Sequence, residues 1–194
     1  MIQFLEIFSL VTGIVYMIMQ IFQGKYMWHF DLLTAGAAMV VALSCKVWGN
    51  ALLQAYFLVM AGIGLVRWRR MEGKTEKGEM HLLHMDRSSY IKSAAIFVGC
   101  GAIICFILFK TNDPKPVADG LSLALSIVAC WWLTRSYLQQ WLLWIVADVI
   151  MLWLYLSQGH FGMTALYGCY IVSSVIGFFY WKKHGKYIAR EEVL

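Results

Sequence analysis

The strongest chemical signal in this 194-residue chain is an acid inside an apolar run. Asp148 lies about nine residues into the stretch 139–157, with Trp144 one helical turn before it and Trp141 two turns before it. On a helix, positions three and four apart share a face, so the carboxylate and both indoles form one stripe. A charge at mid-bilayer depth costs on the order of 2.5–3.5 kcal/mol and is kept for a function or a partner. No basic residue occurs at comparable depth in any apolar stretch. A carboxylate beside indole faces suits a flat cation: cation–π contact contributes roughly 0.5–2 kcal/mol, and the acid adds a charge partner. Gln54 offers a further hydrogen-bonding group at mid-depth of its own stretch.

Other chemistries find little support. His81 and His84 have one-face spacing but no third ligand, so no metal site is expected. Gly73–Thr75 reads GKT like the end of a P-loop, yet Trp68 stands where the first glycine belongs and no strand precedes it. There is no HExxH, no GxSxG and no Cys/His pair within the apolar runs. The five cysteines form no CxxC and read as small buried hydrophobes. The chain is therefore expected to be no enzyme and to need no cofactor.

The elements that hold Asp148 follow from composition. Hydrophobic residues make up 61% and charged residues 14%, against about 25% charged in ordinary soluble domains. That excludes disorder and leaves more apolar surface than a soluble core hides, so the bilayer is the fitting solvent. A spanning helix needs roughly 20 apolar residues. The chain offers seven such stretches, at 3–22, 28–46, 49–68, 91–110, 118–137, 139–157 and 162–181. The first lacks a basic start and carries Glu6, so it reads as a retained span. With the N-terminus outside, thirteen Lys and Arg fall on one side of the membrane and three (Lys46, Lys110 and Lys115) on the other. The basic side is cytoplasmic by the positive-inside rule, which places the C-terminus inside. The net charge of +5 is thus a topology signal, and no nucleic-acid partner is implied.

Slid along itself until Glu6 meets Asp119, the chain aligns with its own second half without a gap. In that register Ser9 meets Ser122, Trp28 meets Trp141, Trp48 meets Phe161, Gly64 meets Gly177 and Trp68 meets Trp181. Two three-helix units follow, and the fourth span restores their direction, giving parallel repeats of the transporter type. The fold class is all-α integral membrane, with seven helices arranged as three, one and three. The expected divisions are 1–68 and 118–181 for the repeats, 69–90 for a cytoplasmic loop, 91–117 for the connecting helix and its loop, and 182–194 for a cytoplasmic tail. Polar stripes mark inward faces, such as Glu6, Ser9, Gly13, Tyr16 and Gln20 in the first span. Asn50 and Gln54 lie on such a stripe in the third span, Tyr155 in the sixth, and Tyr167, Tyr170 and Ser174 in the seventh. Trp28, Trp68 and Trp181 sit at span ends, where an interfacial aromatic belt accounts for them. Gly64 and Gly177 are expected to allow close helix approach.

The segment LSIVACWWLTRSYLQQWLLWIVADVI resembles the signature region of PnuC-family vitamin transporters, and WGNALLQAYF resembles that family's third-span start. Gly64 followed four residues later by Trp68 is similar to the end of its tyrosine–glycine–tryptophan run. The resemblance covers nearly the whole chain and implies a full-length SWEET-like architecture in a bacterial inner membrane. It implies facilitated diffusion of a vitamin, with nicotinamide riboside first and thiamine the alternative. It further implies trapping by a cytosolic kinase and assembly as a homotrimer. A receptor that binds without translocating is the reading from another class. By resemblance Trp141, Trp144 and Asp148 occupy the substrate-binding segment, with Gln140 beside them and Gln54 as the counterpart in the third span. Asn50, Tyr155 and Tyr167 complete the expected substrate contacts. The family's Glu-Asn-Trp is Gln139-Gln140-Trp141 here, and its Trp-xxx-Asn ends in Asp148. An acid at that position fits a cationic vitamin and disfavours neutral riboflavin.

Overall fold

A computed structural model describes residues 2–45, 48–72, 80–111 and 115–188. Among the described residues there are seven helices: α1 (Ile2–Ile21), α2 (Met27–Ser44), α3 (Trp48–Glu72), α4 (Arg87–Lys110), α5 (Pro116–Leu133), α6 (Gln140–Ser157) and α7 (Phe161–His184). All seven are long and apolar enough to cross a membrane. Helices are the form such a chain must take, because hydrocarbon offers backbone groups no partner outside the segment. Exposed apolar side chains face outward; on α1 Phe4, Ile7, Val11, Ile14 and Ile18 repeat at helical spacing. The lone Gly73–Thr75 motif and the tail beyond residue 188 lie outside the described residues.

Contacts divide the chain into two compact units. The first comprises residues 1–81 with 184–194, and contains α1, α2 and α3, with α1 packed on α2 and α2 on α3. The second comprises residues 82–183 and takes in α4 as well as α5, α6 and α7, with α4 packed on α5 and α5 on α6.

Within each unit the same contacts recur at the positions that the self-alignment pairs. Ser9 Oγ donates to the Thr34 carbonyl at 3.2 Å, and Ser122 Oγ donates to the Ala147 carbonyl at 3.2 Å. Trp28 meets Trp68 edge-on at 5.3 Å and 86°, and Trp141 meets Trp181 at 5.5 Å and 89°. Gly64 and Gly177 are the sockets for these indoles: a Cβ on Gly177 would come within 2.5 Å of the Trp141 ring, and one on Gly64 would collide with Trp28 in the same way. The span-end tryptophans therefore depart from the interfacial belt expected of them. Trp28 is 1% exposed because Gly64 on the facing helix leaves room for its ring, and Trp181 is fully buried against the Trp141 ring that Gly177 accommodates.

The repeat extends to the turns. α1 ends with Gln23 at φ 49°, and Gly24 N–H closes back on the Met19 carbonyl at 2.8 Å. α5 ends with Ser136 at φ 53°, and Tyr137 N–H closes on the Trp132 carbonyl at 3.1 Å. Both are left-handed Schellman-type endings, a conformation that usually selects glycine. This turn stops α5 at Leu133, four residues before the sequence pattern does.

Two short strands, β1 (Met80–Leu83) and β2 (Gly185–Ile188), form a two-stranded sheet. The sequence reads β1 as part of a polar cytoplasmic loop and β2 as tail. Instead all four residues of β1 are buried. The Gln23 side chain takes both backbone groups of His81, donating to its carbonyl at 3.0 Å and accepting from its N–H at 3.0 Å. In the second unit Leu83 N–H donates to the Ser136 carbonyl at 3.3 Å. Those bonds satisfy the buried strand backbone, which otherwise could not leave water. The His81 ring packs edge-on against Trp68 at 5.0 Å.

Candidate binding site

The second unit gathers most of the residues singled out above. Asp148 lies at the ninth position of α6 and is 8% exposed. Its carboxylate takes no hydrogen bond from any described side chain or backbone group. One turn earlier, Trp144 is half-buried, and its indole N–H is buried with no acceptor among the described residues. An acid and an N–H donor, four residues apart and both without a hydrogen-bond partner among the described residues, are groups a bound polar molecule can complete.

Trp141 occupies the same stripe but a different environment. It is 2% exposed and seated against Gly177 and Trp181. Gln140, at the start of α6, is fully buried. At the other end of α6, Tyr155 stacks on Tyr167 of α7, with centroids 5.5 Å apart and planes 17° from parallel. Tyr167 in turn meets Tyr170 edge-on at 5.7 Å. These rings follow from the α7 stripe, where Tyr167, Tyr170, Ser174, Gly177 and Trp181 recur at helical spacing. Ser174 and Gly177 are buried on that face.

Gln54 belongs to α3 in the first unit, where it is half-buried. The side chain of Asn50 lies outside the described residues. Glu6, at the head of the first-span stripe, is exposed, whereas Thr12 and Gln20 further along α1 are buried. Thr12 and Thr34 join α1 to α2 through a hydroxyl–hydroxyl bond of 2.9 Å.

Sequence reasoning passed over Asp31, an acid on α2 that is as buried as Asp148, at 8% exposed. Its signal was present, for it is the sole acid in the apolar stretch 28–46. It stands close to the end of that stretch, where water is the ordinary partner, and so it drew no attention. The self-alignment sets Trp144 opposite Asp31, and Asp148 opposite Ala35. The two units thus share packing contacts but not polar chemistry, and the pairing of acid with half-buried indole occurs on α6.

The model of the family described as nicotinamide mononucleotide transporter matches residues 3–183. The nicotinamide riboside transporter PnuC of Neisseria mucosa is 25% identical over 185 residues, covering 89% of this chain and 70% of that protein. The nicotinamide riboside transporter PnuC of Escherichia coli is 24% identical over 165 residues, covering 72% of this chain and 69% of that one. A crystal structure of the vitamin B3 transporter PnuC superposes with a TM-score of 0.68 at 22% identity, covering 93% of this chain and 81% of that one. That likeness concerns the fold.

Proposed function

We propose that this chain, which belongs to the nicotinamide mononucleotide transporter family, is a multi-pass membrane transporter that carries nicotinamide riboside. The pairing of Asp148 with Trp144 carries the reading. Nicotinamide riboside presents a flat aromatic ring with a fixed positive charge. The ring lies on the indole of Trp144, Asp148 supplies the counter-charge, and the indole N–H serves an oxygen of the sugar. In the low-dielectric interior both interactions are stronger than in water, and the carboxylate's desolvation is offset only when a cation arrives. Trp141 backs the binding face. Gln140, Gln54, Asn50, Tyr155 and Tyr167 are the further proposed contacts. That the relatives are nicotinamide riboside transporters favours the riboside over thiamine, which shares the flat cationic ring.

Translocation proceeds by facilitated diffusion between parallel three-helix repeats joined by α4, in a bacterial inner membrane. The N-terminus lies outside and the C-terminus in the cytoplasm. A cytosolic kinase traps the product, and the protein assembles as a trimer. Liposomes loaded with unlabelled nicotinamide riboside and no ion gradient test this reading. Labelled riboside should enter by counterflow, and an enclosed kinase should turn exchange into accumulation. Binding without exchange would identify a receptor instead, and a strict need for a proton or sodium gradient would refute facilitated diffusion. Preferential counterflow of thiamine would move the substrate assignment.

A further inference from the structure

In the first unit, the end where α1 turns into α2 and α3 finishes gathers cations. Lys25 lies in the turn, with its ammonium 5.9 Å from the ring centroid of Tyr26. Tyr26 meets the His29 ring edge-on at 5.7 Å. Arg69, in the last turn of α3, donates from Nη2 to His29 Nε2 at 3.3 Å. Lys25, Tyr26, His29 and Arg69 thus form one continuous run of contacts, with Lys25, Tyr26 and Arg69 exposed and His29 half-buried. Among the described residues no acid pairs with Lys25 or Arg69. A helix start carries partial positive charge and ordinarily draws acids, yet the first turn of α2 holds none, and its N-cap, Tyr26, makes no side-chain bond there. Asp31 is two residues beyond His29, so it lies on the other side of the helix, where it is buried. Membrane topology does not demand this cluster. In the self-alignment Arg69 and Arg70 have lysine counterparts, Lys182 and Lys183, whereas Lys25 and His29 pair with Leu138 and Leu142. Phe22 and Tyr26, on the same turn, are 53% and 55% exposed, as aromatic side chains are where a span meets lipid headgroups.

We propose that Lys25, His29 and Arg69 hold the phosphate of an anionic phospholipid, with Tyr26 and Phe22 against its glycerol and upper acyl carbons. The Arg69 guanidinium keeps further N–H groups beside the one on His29, in the fork geometry that suits phosphate oxygens. Lys25 adds a point charge on a flexible stem. Basic clusters at the ends of spanning helices recognise such headgroups. The exposed aromatics favour a lipid over a soluble phosphate, because a lipid covers them and inorganic phosphate does not. The site is separate from Asp148 and does not depend on which substrate is carried.

Thermal melting of the purified full-length chain in mixed detergent–lipid micelles is the test, with phosphatidylglycerol, phosphatidylcholine and inorganic phosphate as the probes. Phosphatidylglycerol at about 100 times its dissociation constant should raise the melting temperature by roughly 5–10 °C. Phosphatidylcholine and inorganic phosphate should leave it nearly unchanged. The double variant Lys25→Gln with Arg69→Gln should lose most of the gain. Lys182→Gln, which removes the same charge at the counterpart of Arg69, should keep it. Native mass spectrometry should find phosphatidylglycerol retained by the parent and by Lys182→Gln but not by the double variant. An equal gain from phosphatidylcholine would mean ordinary lipid solvation and overturn the site. An equal gain from inorganic phosphate would place the ligand in solution and refute the lipid. Loss of the gain in Lys182→Gln would reveal a diffuse field in place of a clamp. Should the double variant not fold, Lys25→Gln against Lys25→Arg decides: the arginine should keep the gain and the glutamine lose part of it, and equal gains in the two would overturn the site.

Discussion

Replacing Gly177 by alanine asks whether the indole sockets hold the fold together. The new methyl carbon would lie 2.5 Å from Cη2 and Cζ2 of Trp141, more than an ångström inside the 3.5–4.0 Å contact distance of two carbons. Trp141 cannot swing clear, because it is 2% exposed and Trp181 abuts it at 5.5 Å. Overpacking a well-filled core costs typically 1–3 kcal/mol, and two rigid indoles put this site at the upper end, about 3 kcal/mol. At roughly 2–4 °C per kcal/mol for a chain of this size, the melting temperature in detergent should fall by roughly 6–12 °C. Gly62→Ala is the internal control: a Cβ there meets nothing within 4 Å, and alanine is the better helix former, so melting should hold or rise. Trp141→Leu in the Gly177→Ala background should restore part of the loss, giving a favourable coupling in a double-mutant cycle. Melting followed by size-exclusion fluorescence on five proteins settles it: the parent, Gly177→Ala, Trp141→Leu, their double variant and Gly62→Ala. Gly177→Ala melting with the Gly62→Ala control would refute the socket.

Four further outcomes follow. Asp148→Asn should keep the fold and a melting temperature at or above the parent's, since a buried charge is removed. By calorimetry it should bind nicotinamide riboside about 1–3 kcal/mol more weakly, the range for charge-assisted hydrogen bonds. Trp28→Ala, a position first read as interfacial, should lower the melting temperature by an amount near that of Trp181→Ala, because both indoles are buried against a partner tryptophan; a loss confined to Trp181→Ala would contradict this. Ser136→Gly should raise the melting temperature by roughly 2 °C, since it relieves φ 53° and removes a buried hydroxyl with no partner among the described residues; no rise would place that strain elsewhere. Burial pushes the His81 imidazole down to about 4, so the folded state favours its neutral form. Its stability contribution is complete above the unfolded value of about 6.5 and is lost as pH falls toward 4, so melting temperature should drop across that window and drop less in His81→Gln.

Much of this architecture was legible because the bilayer leaves a chain few options. Seven apolar stretches became seven helices, with ends shifted by up to four residues where caps and turns decide. Arg87 enters α4 because Asp86 caps it, accepting from Ser89 N–H at 3.2 Å, and α5 stops early at the left-handed Ser136. The internal repeat was readable as residue pairs, and the same pairs make the same contacts. Strand β1 was not legible. Four residues in a charged loop carry no period, and what buries them is a glutamine 58 positions away. At the site, the stripe through Trp141, Trp144 and Asp148 was plain from helical spacing. Which indole is walled in and which is open was not, because that depends on Gly177 across the helix pair. Asp31 was hidden by its place near a span end, where hydropathy cannot distinguish a hydrated acid from a buried one.

The matched left-handed turns at Gln23 and Ser136 bear on how such a chain could arise. An unusual backbone shape is found at equivalent places on two unlike residues, neither of them glycine, so the geometry is not tied to one side chain. A half-length ancestor acting as a symmetric pair would have carried every substitution twice. Two copies fused into one polypeptide would be released from that obligation. One could keep its serine bond, indole socket and turn as plain scaffold while the other placed an acid beside an open tryptophan. Asymmetry of the ligand, which no twofold-symmetric pair can match, then becomes something a single gene can fit.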